Sequence, residues 1–293
     1  MRGPSICEQL KNLVASDSCG RGAALLCKPE MFKEAAGILA ASSSRVAVVT
    51  GFYVPSAKAP ETDGPPGAAV LARAVEASGR YVDLVTDSMN LQVLEACADV
   101  VGVVCRSIDA PDEVFENRPD LLVFIERLGR ASDRCYYNMR GEDISAWTAP
   151  LDGAAMLAVE RGIPILAIGD GGNETGMGNF RTALSKKLPD FAECLSVIKA
   201  DVAIPVDVSN WGGYALVLLL SLHEGRWLGH SPAEERAMLA AMLAAGAVDG
   251  VSCRLELSVD GLEVGIHETL VKRLFELYDN SASCQGGCEC MLL

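Results

Sequence analysis

The segment 169–179, GDGGNETGMGN, concentrates groups that can bind a ligand or move a proton. It holds five glycines, two carboxylates (Asp170 and Glu174) and two carboxamides in eleven residues. Glycine allows positive φ and lets a ligand approach bare backbone, while carboxylates serve as hard metal ligands or as acid/base groups. The apolar run 163–168 precedes the segment and reads as a buried strand. Because open α/β folds bind ligands where strands end, we place this glycine loop at the functional site.

The spacing within the glycine loop excludes the common nucleotide motifs. It gives no G-x-G-x-x-G, and the chain has no G-x-x-x-x-G-K-[ST], so we expect no nucleotide cofactor. Asp170, Asn173 and Glu174 are spaced like oxygen ligands for Mg²⁺, Mn²⁺ or Ca²⁺, without the EF-hand pattern. The alternative is a purely structural glycine turn. The chain also lacks zinc-ligand spacing among its three histidines and any G-x-S-x-G elbow.

A second acidic loop, 61–68 (ETDGPPGA), leads into a helix predicted to start near residue 67. The free N–H groups of that helix would suit a carboxylate or phosphate. Glu61, Asp63 and Gly64 are therefore candidates for substrate binding. The structural alternative is that Asp63 caps the helix.

Polar residues also follow the other predicted strands. Asp87 comes directly after one strand, where it is either a metal ligand or a helix cap. Glu126 and Arg127 end another, and Arg127 or Arg140 can pair bidentately with a carboxylate. Asn210 follows a later strand and either caps a helix or reaches the same cleft.

Composition narrows the class of partner. The chain has 293 residues, 50% of them hydrophobic, and a formal net charge of −14 with a pI near 4.7. Nucleic acid and anionic membranes need a positive surface, so we expect neither as a partner. No apolar run reaches the roughly 18 residues of a membrane span, and the N-terminus lacks a secretory signal. Eleven cysteines, an odd number, predict a reducing, intracellular location, cytoplasmic with a mitochondrial one left open.

Strands and helices alternate along the chain, which predicts an α/β fold: a three-layer sandwich with a mostly parallel sheet flanked by helices. The predicted strands are 45–50, 81–86, 100–105, 121–125, 163–168 and 201–206. The predicted helices are 5–15, 29–41, 67–78, 88–97, 151–161, 178–187, 190–197, 211–224, 232–244 and 267–279. Before the last helix, Asp260-Gly261 predicts a C-terminal β-hairpin of strands 253–259 and 262–266.

We treat residues 1–280 as one domain and 281–293 as a disordered, Cys-rich tail. The tail ends in a C-a-a-X pattern beginning at Cys290. Lipidation and an opportunistic metal-binding role are the alternatives for it. Because the carboxyl ends of parallel strands share one edge, we expect the polar loops described above to converge there.

Several of these motifs, taken in order, resemble the C-terminal domain family of D-glutamate cyclase. They are 61–68 (ETDGPPGA), 125–127 (IER), 138–141 (NMRG), 168–174 (IGDGGNE), 176–179 (GMGN) and 209–213 (SNWGG), with 17–22 (DSCGRG) also similar. The resemblance spans about residues 17–279. One departure is Leu128, where the family pattern has proline. In the full-length cyclase this domain follows a hydro-lyase-like region, for which we expect no room in this chain. A separate hydro-lyase-like chain is left open as a partner.

The resemblance implies a reaction in which D-glutamate loses water to give 5-oxo-D-proline. The amine attacks the γ-carboxylate, which needs a base and a cation or proton on the carboxylate. The implied catalytic residues are Glu126, Asp170, Glu174, Arg127 and Arg140. The implied substrate-binding residues are Glu61, Asp63, Gly64, Gly171, Gly172, Asn173 and Asn210. The implied ligands of a divalent metal, Mg²⁺ or Mn²⁺, are Asp87, Glu126, Asp170 and Glu174.

Two other functions use the same acidic cleft. One is a metal-dependent hydrolase, such as a phosphatase, that activates water. The other is a non-catalytic protein that binds a metal or metabolite. We expect a small, amino-acid-like substrate as the partner, and homo-oligomerisation is left open.

Overall fold

A computed structural model describes residues 4–41 and 44–284 of the chain. The strands in this part are β1 (Arg45–Thr50), β2 (Tyr53–Val54), β3 (Ala59–Pro60), β4 (Tyr81–Thr86), β5 (Cys105–Ser107), β6 (Leu121–Ile125), β7 (Ile165–Gly169), β8 (Val202–Pro205), β9 (Ser258–Val259) and β10 (Leu262–Glu263). The α-helices are α1 (Ile6–Val14), α2 (Pro29–Ala41), α3 (Pro65–Ala77), α4 (Leu91–Val101), α5 (Gly153–Arg161), α6 (Arg181–Lys187), α7 (Ser209–Glu224), α8 (Pro232–Ala244) and α9 (Val264–Cys284). Short 3₁₀ helices cover Ala24–Leu26, Pro111–Phe115, Ser145–Trp147 and Pro189–Phe191.

Six strands form a parallel sheet in the order β5-β4-β1-β6-β7-β8. The chain steps outward from β1 to β4 and β5, then returns to place β6 on the other side of β1. This is the strand order of doubly wound folds, and its reversal lies between β1 and β6. The crevice at such a reversal opens at the carboxyl ends of the strands. Loops that follow β1, β6 and β7 therefore meet there.

Helices cover both faces of the sheet, as predicted for the α/β class. Alternate strand residues such as Val48 and Val123 pack into the larger core with α2, α3, α4 and α7. Their neighbours Val49 and Phe124 face a smaller core that includes α5 and the 3₁₀ helix Pro111–Phe115. β6, which is buried along its whole length, has the continuous apolar sequence of a strand covered on both sides.

The predicted C-terminal hairpin and helix are present. β9 and β10 pair in antiparallel fashion but are only two residues long each. α9 packs on α8 and α7 and extends to Cys284. The first four residues assigned to the tail thus belong to this helix, and the rest of it, 285–293 with Cys290, lies outside the described residues. Among the described residues no helix has both the length and the apolarity to cross a membrane.

Two predicted elements were wrong. The strand predicted at 100–105 is instead the end of α4, which a left-handed Gly102 terminates, followed by the short β5. The helix predicted at 190–197 is only the 3₁₀ helix Pro189–Phe191. After it, the N–H groups of Ser196 and Val197 bond to carbonyls of Gly172 and Arg130, 2.9 and 3.0 Å away. Local patterns did not reveal these pairings, which are made across the fold.

α3 and α7 cross at two glycines. A Cβ built on Gly213 would lie 2.8 Å from the Cα and from the carbonyl oxygen of Gly67. The backbones of the two helices are therefore in direct contact at this point. The crossing brings both helix N-termini to the same crevice.

We expect Gly213→Ala to lower the free energy of unfolding by roughly 1–3 kcal/mol, because the added methyl overpacks this crossing. Gly37→Ala in α2 is the matched control, since a Cβ there meets nothing within 4 Å. That variant should instead gain about 0.5–1 kcal/mol from lower backbone entropy in the unfolded chain. Chemical denaturation measures both. Equal effects of the two substitutions would contradict the close crossing.

Candidate functional site

A cavity of about 260 Å³ lies at the carboxyl edge of the sheet. Its polar lining consists of Arg21, Glu61, Glu126, Asn138, Arg140, Asp170, Asn173, Glu174 and Asp260. The remaining wall is formed by Phe52, Val54, Pro55, Met139, Gly250 and Val251. This size suits a ligand smaller than a typical drug. The predicted convergence of the polar loops at one edge is therefore present, and it includes segments from both ends of the chain.

Three carboxylates come together beside this cavity. Oxygen atoms of Asp63, Glu126 and Asp170 all lie within 4.8 Å of one another, and all three residues are buried. Asp63 precedes α3, Glu126 follows β6 and Asp170 follows β7. We call these residues the carboxylate triad. A set of hard oxygen donors at this spacing has the chemistry to hold Mg²⁺ or Mn²⁺.

Asp63 enters the triad through reciprocal capping of two helices. Its carboxylate accepts the N–H groups of Ser209 and Asn210, both at 2.8 Å, at the start of α7. In return Asn210 Oδ1 accepts the N–H groups of Gly64 and Gly67 at the start of α3, at 3.0 and 2.9 Å. Asp63 thus caps α7, while Asn210 caps α3. The arrangement fixes both helix N-termini, whose partial positive charge faces the crevice.

Glu126 is held in place by strained backbone and one hydrogen bond. Its φ of 46° lies in the left-handed region, which is unusual for a residue other than glycine. The Oγ of Ser209 donates to its Oε2 at 2.6 Å. Gly64 packs against it so closely that a Cβ there would lie 2.8 Å from the Glu126 Cβ. Strain of this kind concentrates at functional sites, where the surrounding structure maintains it.

Asp170 pairs with an arginine from the far N-terminal part of the chain. Its Oδ1 forms an ion pair with Nη1 of Arg21, while its Oδ2 is buried and has no hydrogen-bond partner among the described residues. The Nη2 of Arg21 contacts Asp260 Oδ1 at 2.5 Å. Arg21 therefore links the glycine loop to the tip of the C-terminal hairpin. The free oxygen of Asp170 leaves one strong acceptor of the triad unsatisfied.

Negative charge at this edge exceeds the positive charge that balances it. Burial is the main reason that the pKa rises in each of four carboxyl groups, Glu61, Asp63, Glu126 and Asp170. For Asp63 the pKa reaches about 8, with Asp260 adding to the effect of burial. Arg21 opposes the rise at Asp170 but does not cancel it. Buried carboxyl groups of this kind can be neutralised by protons or by a cation.

Glu174 stabilises the glycine loop from within. Its Oε1 accepts the N–H groups of Asp170 and Gly171, at 3.0 and 2.7 Å, and its Oε2 accepts that of Gly172 at 2.7 Å. Gly172 itself has a φ of 122°, which a side chain would strain. Three backbone donors on one carboxylate fold the loop around it. Glu174 lines the cavity but is not part of the carboxylate triad.

Asp87 and Arg127 form a buried pair beside the cavity. Arg127 Nη1 lies 2.5 Å from Asp87 Oδ2 and 3.0 Å from the carbonyl of Gly51, and its Nη2 bonds to that of Ala149. The other oxygen of Asp87 accepts the N–H of Asn90 at the entrance to α4. Neither side chain lines the cavity. Their partners lie within the protein, so the pair anchors the loops around β1 and β6.

Arg140 and Asn173 both line the cavity. Arg140 is exposed, and its Nη2 donates to the carbonyls of Gly250 and Val251 at 3.3 and 3.2 Å. Asn173 Nδ2 donates to the carbonyl of Tyr137 at 2.8 Å. Both residues therefore tie separate loops into one wall. Of these two side chains, that of Arg140 is the more accessible to a ligand, since Asn173 is buried.

The turn after β6 has Leu128 at the position where the family pattern has proline, and the hydrogen bonds on either side of this residue are formed. Thr175 N donates to the carbonyl of Arg127 at 2.7 Å, and Gly129 N donates to that of Asn173 at 2.9 Å. Neither bond uses the N–H of Leu128, which is the group that proline lacks. Leu128 is buried in a small apolar cluster behind the cavity. The substitution is compatible with the same turn.

Sequence reasoning missed the contributions of Arg21, Asp260 and the segment around Gly250 and Val251. Arg21 stood inside a motif that resembled the family, and Asp260 stood in a turn signal, so both were visible but neither was given a role. Arg21 contacts Asp170, 149 residues further along the chain, and Asp260, 239 residues further along, so a local pattern could not assign either role. Gly250 and Val251 carry no side-chain chemistry that a motif search detects.

The comparisons with known proteins agree on one family. Residues 10–275 match the family described as D-glutamate cyclase-like, C-terminal. The chain is also 34% identical, over 236 residues, to the human protein named D-glutamate cyclase, mitochondrial. That match covers 72% of this chain and 38% of the human protein. The chain therefore corresponds to well under half of the length of this relative.

We expect Glu174→Gln to destabilise the protein by about 1–3 kcal/mol, because an amide NH₂ would face backbone donors that a carboxylate oxygen now accepts. Exposed Glu193 lies outside the cavity, and Glu193→Gln is the matched control with almost no effect. Chemical denaturation measures the difference. An unchanged stability in Glu174→Gln would mean that its carboxylate does not fold the glycine loop.

The raised pKa of Glu126 gives a pH-dependent prediction. A folded-state pKa above the unfolded value, about 4.3, favours folding at acidic pH, and this contribution is lost as the pH rises through the folded-state pKa. Glu126→Gln removes the buried charge and keeps an acceptor for Ser209. In EDTA its Tm should exceed that of the wild type by at least about 2 °C at pH 8, with little difference at pH 5.

Thermal unfolding at the two pH values tests this expectation. Glu193→Gln, which alters an exposed charge, should change neither Tm. A lower Tm for Glu126→Gln at both pH values would show that the negative charge of Glu126 is satisfied in the folded protein.

Proposed function

This chain belongs to the D-glutamate cyclase-like C-terminal family, and we propose that it converts D-glutamate to 5-oxo-D-proline and water in its acidic cavity. The observation that carries the proposal is the buried carboxylate triad, Asp63, Glu126 and Asp170, with one oxygen of Asp170 unpartnered. A site of this kind attracts a cation or an ammonium group. The cavity of about 260 Å³ beside it is of a size for a small amino acid.

The proton balance of this reaction matches the chemistry of the cavity. The substrate ammonium must lose two protons to become the lactam N–H, and the departing γ-carboxylate oxygen must gain two to leave as water. No net proton is released, so the site needs groups that both accept and donate protons. A carboxyl group whose pKa is raised can serve in both roles. Glu61, which lines the cavity, has a raised pKa and lies outside the carboxylate triad, is our candidate.

The carboxylate triad is our candidate for holding a divalent metal. Its three hard donors and the unpartnered Asp170 Oδ2 fit Mg²⁺ or Mn²⁺. When bound, such an ion supplies Lewis-acid polarisation of a carboxylate. This assignment replaces Asp87 and Glu174 of the sequence-based ligand set with Asp63. Asp87 is paired with Arg127, and Glu174 accepts three backbone N–H groups.

The two arginines on the cavity wall, Arg21 and Arg140, are candidates to bind the substrate's carboxylates. Arg127 was predicted for this role but is buried on Asp87 and lines no part of the cavity. We therefore assign Arg127 to positioning Glu126, its neighbour in the chain. Asn173 and Glu174 also line the cavity.

The human relative is much longer than the matched region, so its named activity and mitochondrial location are proposals for this chain. A separate hydro-lyase-like chain, a homo-oligomer, and a cytoplasmic or mitochondrial location also remain predictions. The acidic cavity would serve a phosphatase or a metabolite-binding protein as well. An assay for 5-oxoproline formation from D-glutamate separates these functions.

We expect purified full-length chain to form 5-oxoproline from D-glutamate in the presence of Mg²⁺ or Mn²⁺, as followed by chiral chromatography. Glu126→Gln and Asp170→Asn should lower the rate by at least about 100-fold, since each removes a group that moves a proton or holds the cation. Glu193→Gln should retain the full rate. EDTA should abolish turnover if the triad holds a metal.

Absence of product with every metal would reject the cyclase function. Release of phosphate from a panel of phosphoesters under the same conditions would then support the hydrolase. If neither product forms but D-glutamate binds by calorimetry, the protein is a binding protein. L-Glutamate in a parallel reaction reports whether the site selects one enantiomer.

A further inference from the structure

Arg21 is the one arginine among the described residues that contacts the carboxylate triad. Its Nη1 pairs with Asp170 Oδ1, and its Nη2 pairs with Asp260 Oδ1 at 2.5 Å. Its side chain is 23% exposed and lines the cavity. The guanidinium is therefore shared between the carboxylate triad on one side and the C-terminal hairpin on the other, and it is open to a ligand.

The backbone around Arg21 holds it at this position. Gly22 N donates to Asp17 Oδ1 at 2.7 Å, which closes a turn containing left-handed Gly20. Asp260 lies on the turn between β9 and β10, and Asp249 fixes that turn by accepting the N–H of Gly261 at 2.7 Å. Both ends of the link are thus built into ordered turns. Arg21 can lose one partner and remain anchored by the other.

We propose that a divalent cation at the triad and Arg21 compete for Asp170, and that Arg21 then binds the carboxylate adjacent to the substrate amine. The inference rests on the proposed function and adds an order of binding to it. A cation placed on Asp170 brings two positive groups onto one carboxylate, so the ion pair of Arg21 with Asp170 weakens. Nη1 becomes available, while Nη2 stays on Asp260.

This arrangement favours Arg21 over Arg140 as the clamp for the α-carboxylate. Arg140 Nη2 donates to the carbonyls of Gly250 and Val251, which no cation at the triad would disturb. Of the two arginines on the cavity wall, Arg21 is the one whose ion pair uses a carboxylate of the triad. The cation would therefore create the anion site as it binds. By thermodynamic linkage, the anionic ligand must raise the affinity for the cation by the same factor as the cation raises the affinity for the ligand.

The recognised ligand is then an amino acid with a carboxylate next to its amine. D-Glutamate and 4-aminobutanoate share the amine and the distal carboxylate, but 4-aminobutanoate lacks the α-carboxylate. Comparing them in the wild type and in Arg21→Gln forms a cycle that isolates the contact between Arg21 and the α-carboxylate. The cycle needs only binding, so it does not depend on turnover.

Calorimetry with the full chain gives two sets of affinities. Without amino acid, Arg21→Gln should bind Mn²⁺ at least fivefold more tightly than the wild type, because the competing guanidinium is gone. With saturating Mn²⁺, Arg21→Gln should lower the affinity for D-glutamate at least tenfold. The affinity for 4-aminobutanoate should fall less than twofold. Asp260→Asn, which keeps the guanidinium, should preserve most of the preference for D-glutamate.

Equal Mn²⁺ affinities in wild type and Arg21→Gln, or equal weakening of the two amino acids, would overturn the inference. If D-glutamate does not bind at all, the proposed function fails, and the Mn²⁺ comparison still decides whether Arg21 and the cation compete. Arg21→Lys keeps the charge but loses the planar fork. Arg21→Lys replaces Arg21→Gln if that variant does not fold. It should lower the affinity for D-glutamate at least threefold more than the affinity for 4-aminobutanoate.

Discussion

The site depends on the electrostatic cost of burying several carboxylates at one edge of a parallel sheet. Removing charged groups from water is expensive unless they are paired and hydrogen-bonded. At this edge the nearby guanidinium of Arg21 is shared between Asp170 and Asp260, while Glu61, Asp63 and Glu126 lie close by. The raised pKa values express this imbalance. Protons, a cation or a substrate ammonium relieve it, and that need connects the structure to the proposed chemistry.

Much of the surrounding architecture reduces this cost without removing it. The N-termini of α3 and α7 face the crevice, where their partial positive charge favours anions. They are held there by the reciprocal capping of Asp63 and Asn210 and by the backbone contact of Gly67 with Gly213. Two carboxylates near the site are satisfied internally: Glu174 by backbone N–H groups and Asp87 by Arg127. The carboxylates that are paired within the protein set the geometry of the site. The unpartnered oxygen of Asp170 remains available to a ligand.

The strand order shows why the site forms where it does. β6 returns to the far side of β1, so the loops after these two strands border the crevice from opposite sides. Doubly wound folds of this order often bind dinucleotides there. Here the loops carry acidic side chains and no phosphate-binding fingerprint. A shared architecture thus hosts a site of opposite electrostatic character, which is why the functional argument rests on side chains rather than on fold.

By itself the sequence determined the fold class and the family, because both depend on local patterns. Strand and helix periodicity placed β1, β4, β6, α2 and α8 at their observed bounds, and the ordered motifs indicated the family that the comparisons show. The sequence identified Asp170 through the composition of the glycine loop and Glu126 through its position after a predicted strand, and both residues line the cavity. It did so because these residues directly follow strands that a parallel sheet aligns.

Only the tertiary structure decided which polar groups are free and which are already paired. Asp63 belongs to the carboxylate triad, and Asp87 forms an ion pair with Arg127. Glu174 accepts backbone N–H groups, and Arg21 contacts Asp170, 149 residues away in the chain. The same long-range pairing accompanies the replacement of the helix predicted at 190–197 by a short 3₁₀ helix and an irregular segment. A carboxylate has the same local sequence signal whether it binds a ligand or a neighbouring N–H group. The partner distinguishes them, and the fold alone brings the partner into reach.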